Sequence, residues 1–237
     1  MTSPEPNDPS APVAELRAVR VWDLPTRLVH WVLALAVVGS VVTAKIGGNA
    51  TAWHFRLGYL VLGLLLFRIV WGVVGGHWSR FATFVRGPGT VLRYLRGQAR
   101  PDEHLDVGHN PLGAGSVIAL LTILAVQVST GLIADDEIAS VGPLNRFVDT
   151  ATGLAATAWH KTGGQWIIVG LVVLHIAAIV FYKVRHDKDL VGPMLRGDKQ
   201  LAEDAPASAD DIRARVKAVA IAAVVAAAVA GVVKLGG

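Results

Sequence analysis

Two histidines in one apolar stretch, His160 and His175, are the residues whose type and spacing point most directly to chemistry. They stand fifteen positions apart, so on a helix their side chains project from nearly the same face, about 60° apart. About 22 Å of helix separates them, at about 1.5 Å per residue. The hydrocarbon core of a membrane is about 30 Å thick, and ionisable groups inside it are costly and mark function. The pair therefore indicates two sites in series, one near each membrane surface.

Long apolar blocks would position these histidines. Hydrophobic residues make up 53% of the 237-residue chain, and charged residues make up 17%. The apolar residues form five blocks of roughly bilayer-spanning size, at residues 29–43, 53–74, 112–132, 159–182 and 218–233. The predicted fold class is therefore all-α, an integral membrane four-helix bundle followed by a fifth transmembrane helix. Asn110 and Pro111 are typical of a helix cap and first helical residue, and they predict the start of the third span.

The basic residues predict the orientation of the chain. Lys and Arg are concentrated in the N-terminal segment and in the loops after the second and fourth spans, whereas the loop after the third span is partly acidic. By the positive-inside rule, the N-terminus lies in the cytoplasm and the spans cross a bacterial inner membrane. The predicted domains are a disordered cytoplasmic tail at residues 1–19, a transmembrane domain at 20–196, and a linker with the fifth span at 197–237. The positive charge is thus a topology signal and gives no reason to expect a nucleic-acid partner.

With this orientation, four histidines fall at two depths. His30 stands at the inner end of the first span, and His175 stands about two-thirds of the way through the fourth span, toward the inside. His54 stands at the outer start of the second span, and His160 stands at the outer start of the fourth. One helix thus supplies a histidine at each level, and two other helices supply one each.

Two histidines at each depth suit bis-histidine ligation of haem iron, through neutral ring nitrogens and between facing helices. The sequence has no cysteine, which excludes disulfides, thiolate metal sites, iron–sulfur clusters and covalently attached c-type haem. The competing interpretation is a histidine-lined metal or proton path in a transporter. Such a path usually includes carboxylates, and the five apolar blocks contain neither Asp nor Glu.

Arg68 lies toward the end of the second apolar block, fourteen positions after His54. This spacing places it about 21 Å further in, at the depth of His30 and His175. A guanidinium can bind a carboxylate with two hydrogen bonds, so Arg68 is a candidate partner for a propionate of an inner haem. The alternative is that its side chain reaches the inner lipid headgroups.

The other four histidines carry less information. His104 and His186 fall in basic loops, where solvation is the simplest interpretation. His77 and His109 flank the inner ends of the second and third spans; we interpret them as interfacial or capping residues, and they are also candidates for a quinone pocket. Between them, residues 80–96 alternate Arg with Phe, Val and Leu, which predicts short amphipathic segments on the inner leaflet.

Four segments of the sequence resemble one family. The resemblance is carried by RVWDLPTRLVHW in the first span, WHFRLGYLVLGLLLFRIVWG in the second, the turn GHNPLG, and VVLHIAAIVFY in the fourth. These segments are similar to the b-type cytochrome subunits of nickel–iron hydrogenases and their bacterial cytochrome b561 relatives. The resemblance covers about residues 20–196, and it implies four helices that bind two b haems noncovalently. Carried over by position, the haem ligands are His30 with His175 and His54 with His160.

The function that follows is that of a di-haem membrane cytochrome in respiratory electron transport. We expect electrons to pass between a redox partner protein (a hydrogenase, another dehydrogenase or a cytochrome c) and quinone or another carrier, with lipid around the spans. Two alternatives stay open at this point. One is an independent haem oxidoreductase that acts on quinone or superoxide, and the other is a non-redox membrane anchor whose histidines are structural.

Overall fold

Long helices dominate the computed structural model, which describes residues 16–138, 140–202 and 204–236. In chain order the helices are α1 (Leu24–Ile46), α2 (Thr51–Val74), α3 (Phe81–Phe84), α4 (Pro88–Leu95), α5 (Pro111–Ile133), α6 (Thr150–Trp159), α7 (Gln165–His186), α8 (Val191–Arg196) and α9 (Ile212–Lys234). Within the described ranges, five spans are long and apolar enough to cross a membrane: α1, α2, α5, α6 continued by α7, and α9. The predicted all-α membrane fold is confirmed.

The first four spans form a bundle around an apolar centre. α1 packs along α2, α2 contacts α5, and α5 contacts α7. The buried side chains at the centre come from all four spans: Ala36, Val61, Leu65, Leu124 and Ile168. On the fourth span, Ile168 lies between the two histidines that the sequence singled out. The central layer therefore separates the two levels at which the candidate ligands stand.

The start of α1 is fixed by the carboxylate of Asp23, which is fully buried. This carboxylate accepts hydrogen bonds from the Thr26 N–H (2.8 Å), Trp71 Nε1 (3.1 Å), Ser79 Oγ (2.7 Å) and the Gly76 N–H (3.2 Å). A buried carboxylate needs such partners, because its desolvation is otherwise unfavourable. The network ties the first turn of α1 to the end of α2, and so it positions the helical segment that carries His30.

The fourth span differs from its prediction in length. Asp149 caps α6 by accepting a hydrogen bond from the Thr152 N–H at 2.8 Å, so the helix begins at Thr150, nine residues before position 159. His160 was predicted to stand at the start of this span, but it lies inside it. The span has 37 residues and is about 55 Å long, which exceeds the thickness of the bilayer core. The bilayer core therefore cannot contain the whole of it.

The fourth span also contains an irregular turn at the candidate ligand. Residues His160–Gly164 form a π-helical turn between α6 and α7. The Gln127 side-chain amide on α5 donates to the carbonyl oxygen of His160 at 2.8 Å. A neighbouring helix thus supplies a hydrogen bond at the point where the regular helical pattern is broken. Turns of this kind occur frequently at functional sites.

The segments that flank the predicted transmembrane domain pack onto the end of the bundle at which α1 begins. Strand β1 (Arg17–Arg20) pairs antiparallel with β2 (Asp198–Leu201). The predicted disordered tail, residues 1–19, therefore ends in a strand, while residues 1–15 lie outside the described residues. Ser208 donates to the carbonyl of Val21 at 2.8 Å and accepts the Trp78 N–H at 3.2 Å. The predicted linker is therefore an integral part of this end of the bundle.

The fifth transmembrane helix, α9, packs against the hairpin of α1 and α2. Its residue Ala218 is buried with Val29, Phe67 and Trp71. At the far end of the helix, Arg146 donates a hydrogen bond to the carbonyl of Leu235 at 3.1 Å. α9 therefore covers one side of the bundle and stands outside the set of helices that carry the candidate histidines.

Candidate functional site

The structure brings the four predicted histidines together as two pairs. The ring centroids of His30 and His175 are 6.5 Å apart, and those of His54 and His160 are 5.8 Å apart. We call the first the inner pair and the second the outer pair, after the predicted orientation. The fourth span contributes one histidine to each pair, while α1 completes the inner pair and α2 completes the outer pair.

The separation within each pair suits a metal held between two imidazoles. A metal–imidazole bond is about 2 Å long, so two rings that share one ion have centroids roughly 6 Å apart. Among the described residues, there is no group of three or more His, Cys, Asp or Glu that could hold a bare ion. Two imidazoles are enough when the cofactor itself fills the remaining coordination positions, as haem does. The donor set therefore fits bis-histidine haem.

Hydrogen bonds orient both rings of the outer pair. His54 Nδ1 lies 2.9 Å from the carbonyl oxygen of Ser40, and His160 Nδ1 lies 2.9 Å from the carbonyl oxygen of Gln127. A carbonyl oxygen can only accept, so each Nδ1 carries the proton and donates. Each Nε2 then keeps its lone pair, which is the state that a metal ligand requires.

The rings of the inner pair are held less tightly. His175 Nδ1 lies 3.4 Å from the hydroxyl of Ser116 on α5, which is a long contact. His30 Nδ1 is buried and has no hydrogen-bond partner in the ranges that the structure describes. The position of His30 is therefore set by the packing of α1 and not by a bond to its ring.

A cavity of about 510 Å³ surrounds the outer pair. It lies between α1, α2, α5 and the fourth span, and both outer histidines line it. Its volume is within the range of about 300–1,000 Å³ that is usual for small-molecule and cofactor pockets. Lys45 and Lys161 also line the cavity, and both side chains are exposed. Asp136 lines it as well, so the cavity combines a mostly apolar surface with charged residues of both signs.

Glycine at position 131 allows α5 to approach the outer pair. A Cβ atom at Gly131 would lie 2.8 Å from Cε1 of His160, closer than real side chains come. A Cβ atom at Gly164 would likewise overlap the Gln127 amide oxygen. Gly131, Ser40 and Gln127 were not predicted from the sequence. Gln127 carried the clearest signal, because it is an amide side chain within an apolar block.

Arg68 is buried at the level of the inner pair, with 7% of its surface exposed. Its guanidinium carbon lies 4.8 Å from the ring centroid of Phe81 and 5.9 Å from that of Phe84. The Nη1 atom is buried and lacks a hydrogen-bond partner among the described residues. This burial disfavours the interpretation in which Arg68 reaches the lipid headgroups. A buried cation with an unused donor is instead suited to binding an anion.

His109 belongs to the same inner region. Its ring lies between those of Trp22 and Phe84, each at 4.6 Å between centroids. Burial and the nearby charge of Arg68 lower the pKa of His109 to about 3, so its ring is neutral at physiological pH. The capping role considered for His109 is wrong, because Asn110 caps α5 by accepting the Gly113 N–H at 2.7 Å.

His77 lies further out on the same side of the molecule. Its ring packs against the edge of Trp78, with 4.8 Å between centroids. Burial and the positive charges of Arg80 and Arg86 lower its pKa. The residues after His77 were predicted to form short amphipathic segments on the inner leaflet; they form α3 and α4, and Phe84 of α3 is buried in the protein.

Comparisons with known proteins agree with this arrangement. A sequence model of the prokaryotic cytochrome b561 family matches residues 21–197. The chain is 28% identical over 215 residues to the probable Ni/Fe-hydrogenase B-type cytochrome subunit of Cupriavidus necator, covering 77% of this chain and 87% of the relative. It is 27% identical to the protein of that name in Azotobacter vinelandii, with coverages of 85% and 97%. It is 24% identical to the probable Ni/Fe-hydrogenase 1 B-type cytochrome subunit of Escherichia coli K12, with coverages of 75% and 88%. No solved structure gives a significant match.

Proposed function

Because the chain belongs to the prokaryotic cytochrome b561 family, we propose that it is a di-haem electron-transfer subunit of a membrane-bound hydrogenase. Family membership establishes a multi-pass membrane cytochrome of b type, which carries haem b and transfers electrons. The proposal adds the number of haems, their ligands and the partner. The observation that carries it is the presence of two histidine pairs, at 6.5 Å and 5.8 Å, on either side of one apolar layer.

The proposed ligands are His30 with His175 for the inner haem and His54 with His160 for the outer haem. Bound haem would supply one-electron chemistry at iron. The protein's own contribution would be to hold the imidazoles, to exclude water and to set the local charge. The layer of apolar side chains around Ile168 would keep water out of the space between the two sites.

Cationic side chains near each pair are the proposed partners of the haem propionates. Arg68 is buried and has an unused donor at the inner level. At the outer level, Lys45 and Lys161 line the cavity that contains the outer pair. An arginine fork binds a carboxylate in a fixed geometry, whereas a lysine acts as a mobile point charge. We therefore expect the inner haem to be held in the better-defined orientation.

The partner and the orientation are inferred from the relatives and from the distribution of charge. The relatives are named as subunits of Ni/Fe hydrogenases, and this supports a hydrogenase as the electron donor or acceptor of the present chain. The basic inner loops support an N-terminus in the cytoplasm of a bacterial cell, with the spans in its inner membrane. Quinone is the proposed carrier on the other side of the electron path.

Haem quantitation tests the proposal directly. The purified protein should contain two b haems per chain, and each of the variants His30→Ala, His54→Ala, His160→Ala and His175→Ala should lose one of them. Reduced-minus-oxidised spectra should show the same remaining haem in both variants of a pair. His186→Ala is the matched control, because this histidine is exposed at the end of α7.

Three outcomes would contradict parts of the proposal. A colourless, well-folded protein would favour a non-redox membrane anchor. Retention of both haems in any one of the four variants would remove that histidine from the ligand set. Turnover of quinone or superoxide by the purified chain alone, with no hydrogenase recovered from membranes with it, would favour an independent oxidoreductase.

A further inference from the structure

An apolar groove runs between α9 and the hairpin of α1 and α2. Its volume is about 640 Å³. Apart from Tyr59 and Arg215, every residue that lines it is apolar or glycine. The groove is formed by the fifth transmembrane helix, which begins after the last residue that the family model matches. Its function is therefore a separate question from that of the histidine pairs.

The shape of the groove suits a long, flexible apolar chain. Its lining on α9 extends from Arg215 to Ala230, a distance of about 22 Å along the helix. The residues Leu24 and Pro25, at the start of α1, line the same end as Arg215. The groove therefore starts at the predicted inner surface and extends past the bilayer midplane, which lies about 15 Å from either side of the hydrocarbon core.

Arg215 lines the inner mouth of the groove. It is one of three exposed basic residues in the first turns of α9, and the other two, Arg213 and Lys217, lie on other faces of the helix. Arg215 lies 3.4 Å from Asp210, whose carboxylate is already within 4.0 Å of Arg27. One buried carboxylate is thus shared between cations, and even with the exposed Asp211 that caps α9, the basic residues at this end of the helix outnumber the carboxylates.

We propose that the groove binds one acyl chain of an anionic phospholipid, with the phosphate at the basic mouth. Basic residues at the cytoplasmic side of membrane helices attract anionic headgroups. The apolar interior suits the acyl chain, because it offers no polar partner except Tyr59 for a ligand with a polar ring. Tyr59 also lines the cavity around the outer pair. The groove and that cavity therefore adjoin at this side chain.

Native mass spectrometry of the full-length protein in detergent tests this site. Phosphatidylglycerol and phosphatidylcholine are added separately at equal concentrations, and the bound fraction is measured for each. The wild type should bind one phosphatidylglycerol in preference to phosphatidylcholine. Each basic residue near a membrane surface strengthens binding of an anionic lipid about fivefold. The double variant Arg213→Gln/Arg215→Gln should therefore bind phosphatidylglycerol roughly 20-fold more weakly, with little change for phosphatidylcholine.

Two further variants distinguish the groove from general attraction to charge. Arg185→Gln removes an exposed arginine from the inner end of α7, away from the groove, and it should leave binding of phosphatidylglycerol unchanged. Ala222→Phe places a large side chain in the groove and should weaken binding of both lipids. Haem content, measured in parallel, reports whether each variant is folded.

The proposal is overturned if phosphatidylcholine binds as well as phosphatidylglycerol, or if the double variant keeps its affinity. It is also overturned if Ala222→Phe has no effect, because binding would then depend on the headgroup alone. Displacement of phosphatidylglycerol by a quinone would assign the groove to a different ligand. None of these results depends on the identity of the haem ligands, so they leave the proposed function untouched.

Discussion

The outer and inner histidine pairs have the same composition but are supported in different ways. In the outer pair, each ring donates Nδ1–H to a backbone carbonyl at 2.9 Å. In the inner pair, His175 has only a long contact with Ser116, and His30 Nδ1 has no partner among the described residues. The inner region has instead a buried cation, Arg68. The outer pair is thus distinguished by hydrogen bonds to its rings, and the inner pair by a buried positive charge nearby.

This difference has an electrochemical consequence if the proposed ligands are correct. A histidine that donates Nδ1–H to a carbonyl is a more basic ligand, and it stabilises oxidised iron. A buried cation near a haem stabilises the reduced state, which carries one positive charge less. The first effect lowers the midpoint potential of the outer haem, and the second raises that of the inner haem. We therefore expect the outer haem to have the lower midpoint potential. The following variants test this comparison.

The largest effect is expected at the outer pair, from Gly131→Val. A Cβ atom at this position would come within 2.8 Å of the His160 ring, and the branched side chain would displace the imidazole. We expect the outer haem to be lost and the inner haem to stay, as measured by haem content and by the reduced spectrum. Gly115→Val on the same helix is the control, because its Cβ would meet nothing within 4 Å. Loss of the inner haem in Gly131→Val would show that the two sites are not independent.

The next largest effect concerns the helix caps at the two ends of the bundle. Asp23→Ala removes a buried acceptor and leaves Trp71 Nε1 and the Gly76 N–H without a partner. Unsatisfied buried groups cost about 1–3 kcal/mol each, so we expect a loss of stability of about 3 kcal/mol in thermal unfolding followed by haem absorbance. Asp149→Ala removes the exposed cap of α6 and should have a clearly smaller effect. Equal losses would mean that the inner end does not depend on the Asp23 network.

A smaller effect is expected from Arg68→Gln. This change removes the positive charge of the inner region while keeping a hydrogen-bond donor. The higher of the two midpoint potentials should fall by about 60 mV, which corresponds to a tenfold change in the equilibrium constant for one electron. Arg56→Gln, an exposed arginine over the Trp53 ring on the same helix, should leave that potential unchanged. A fall in the lower potential alone would assign Arg68 to the other haem.

The sequence was sufficient to predict the number of spans and which histidines lie next to each other, because a bilayer imposes length and apolar composition on every helix. It was not sufficient to predict contacts that depend on which helices are neighbours and how each is rotated. The π-helical turn at His160 depends on Gln127 of α5, and the close approach depends on Gly131. Similarly, the strand at Arg17–Arg20 depends on a partner strand that is adjacent in space but distant in sequence, so the local sequence did not predict it.

The smallest effect is expected from the hydroxyls next to the ligand rings. Ser116 and Thr130 each place a hydroxyl oxygen 3.4 Å from Nδ1 of a candidate ligand, His175 and His160 respectively. His160 Nδ1 also has a carbonyl at 2.9 Å, whereas His175 has no other described partner, so only Ser116→Ala should change a potential. When Nε2 binds iron, Nδ1 carries the proton and donates a hydrogen bond to the Ser116 hydroxyl oxygen. Its removal makes His175 less basic, and the higher potential should rise by about 20 mV, a twofold change. A shift of the same size in Thr130→Val would show that the two pairs are supported alike.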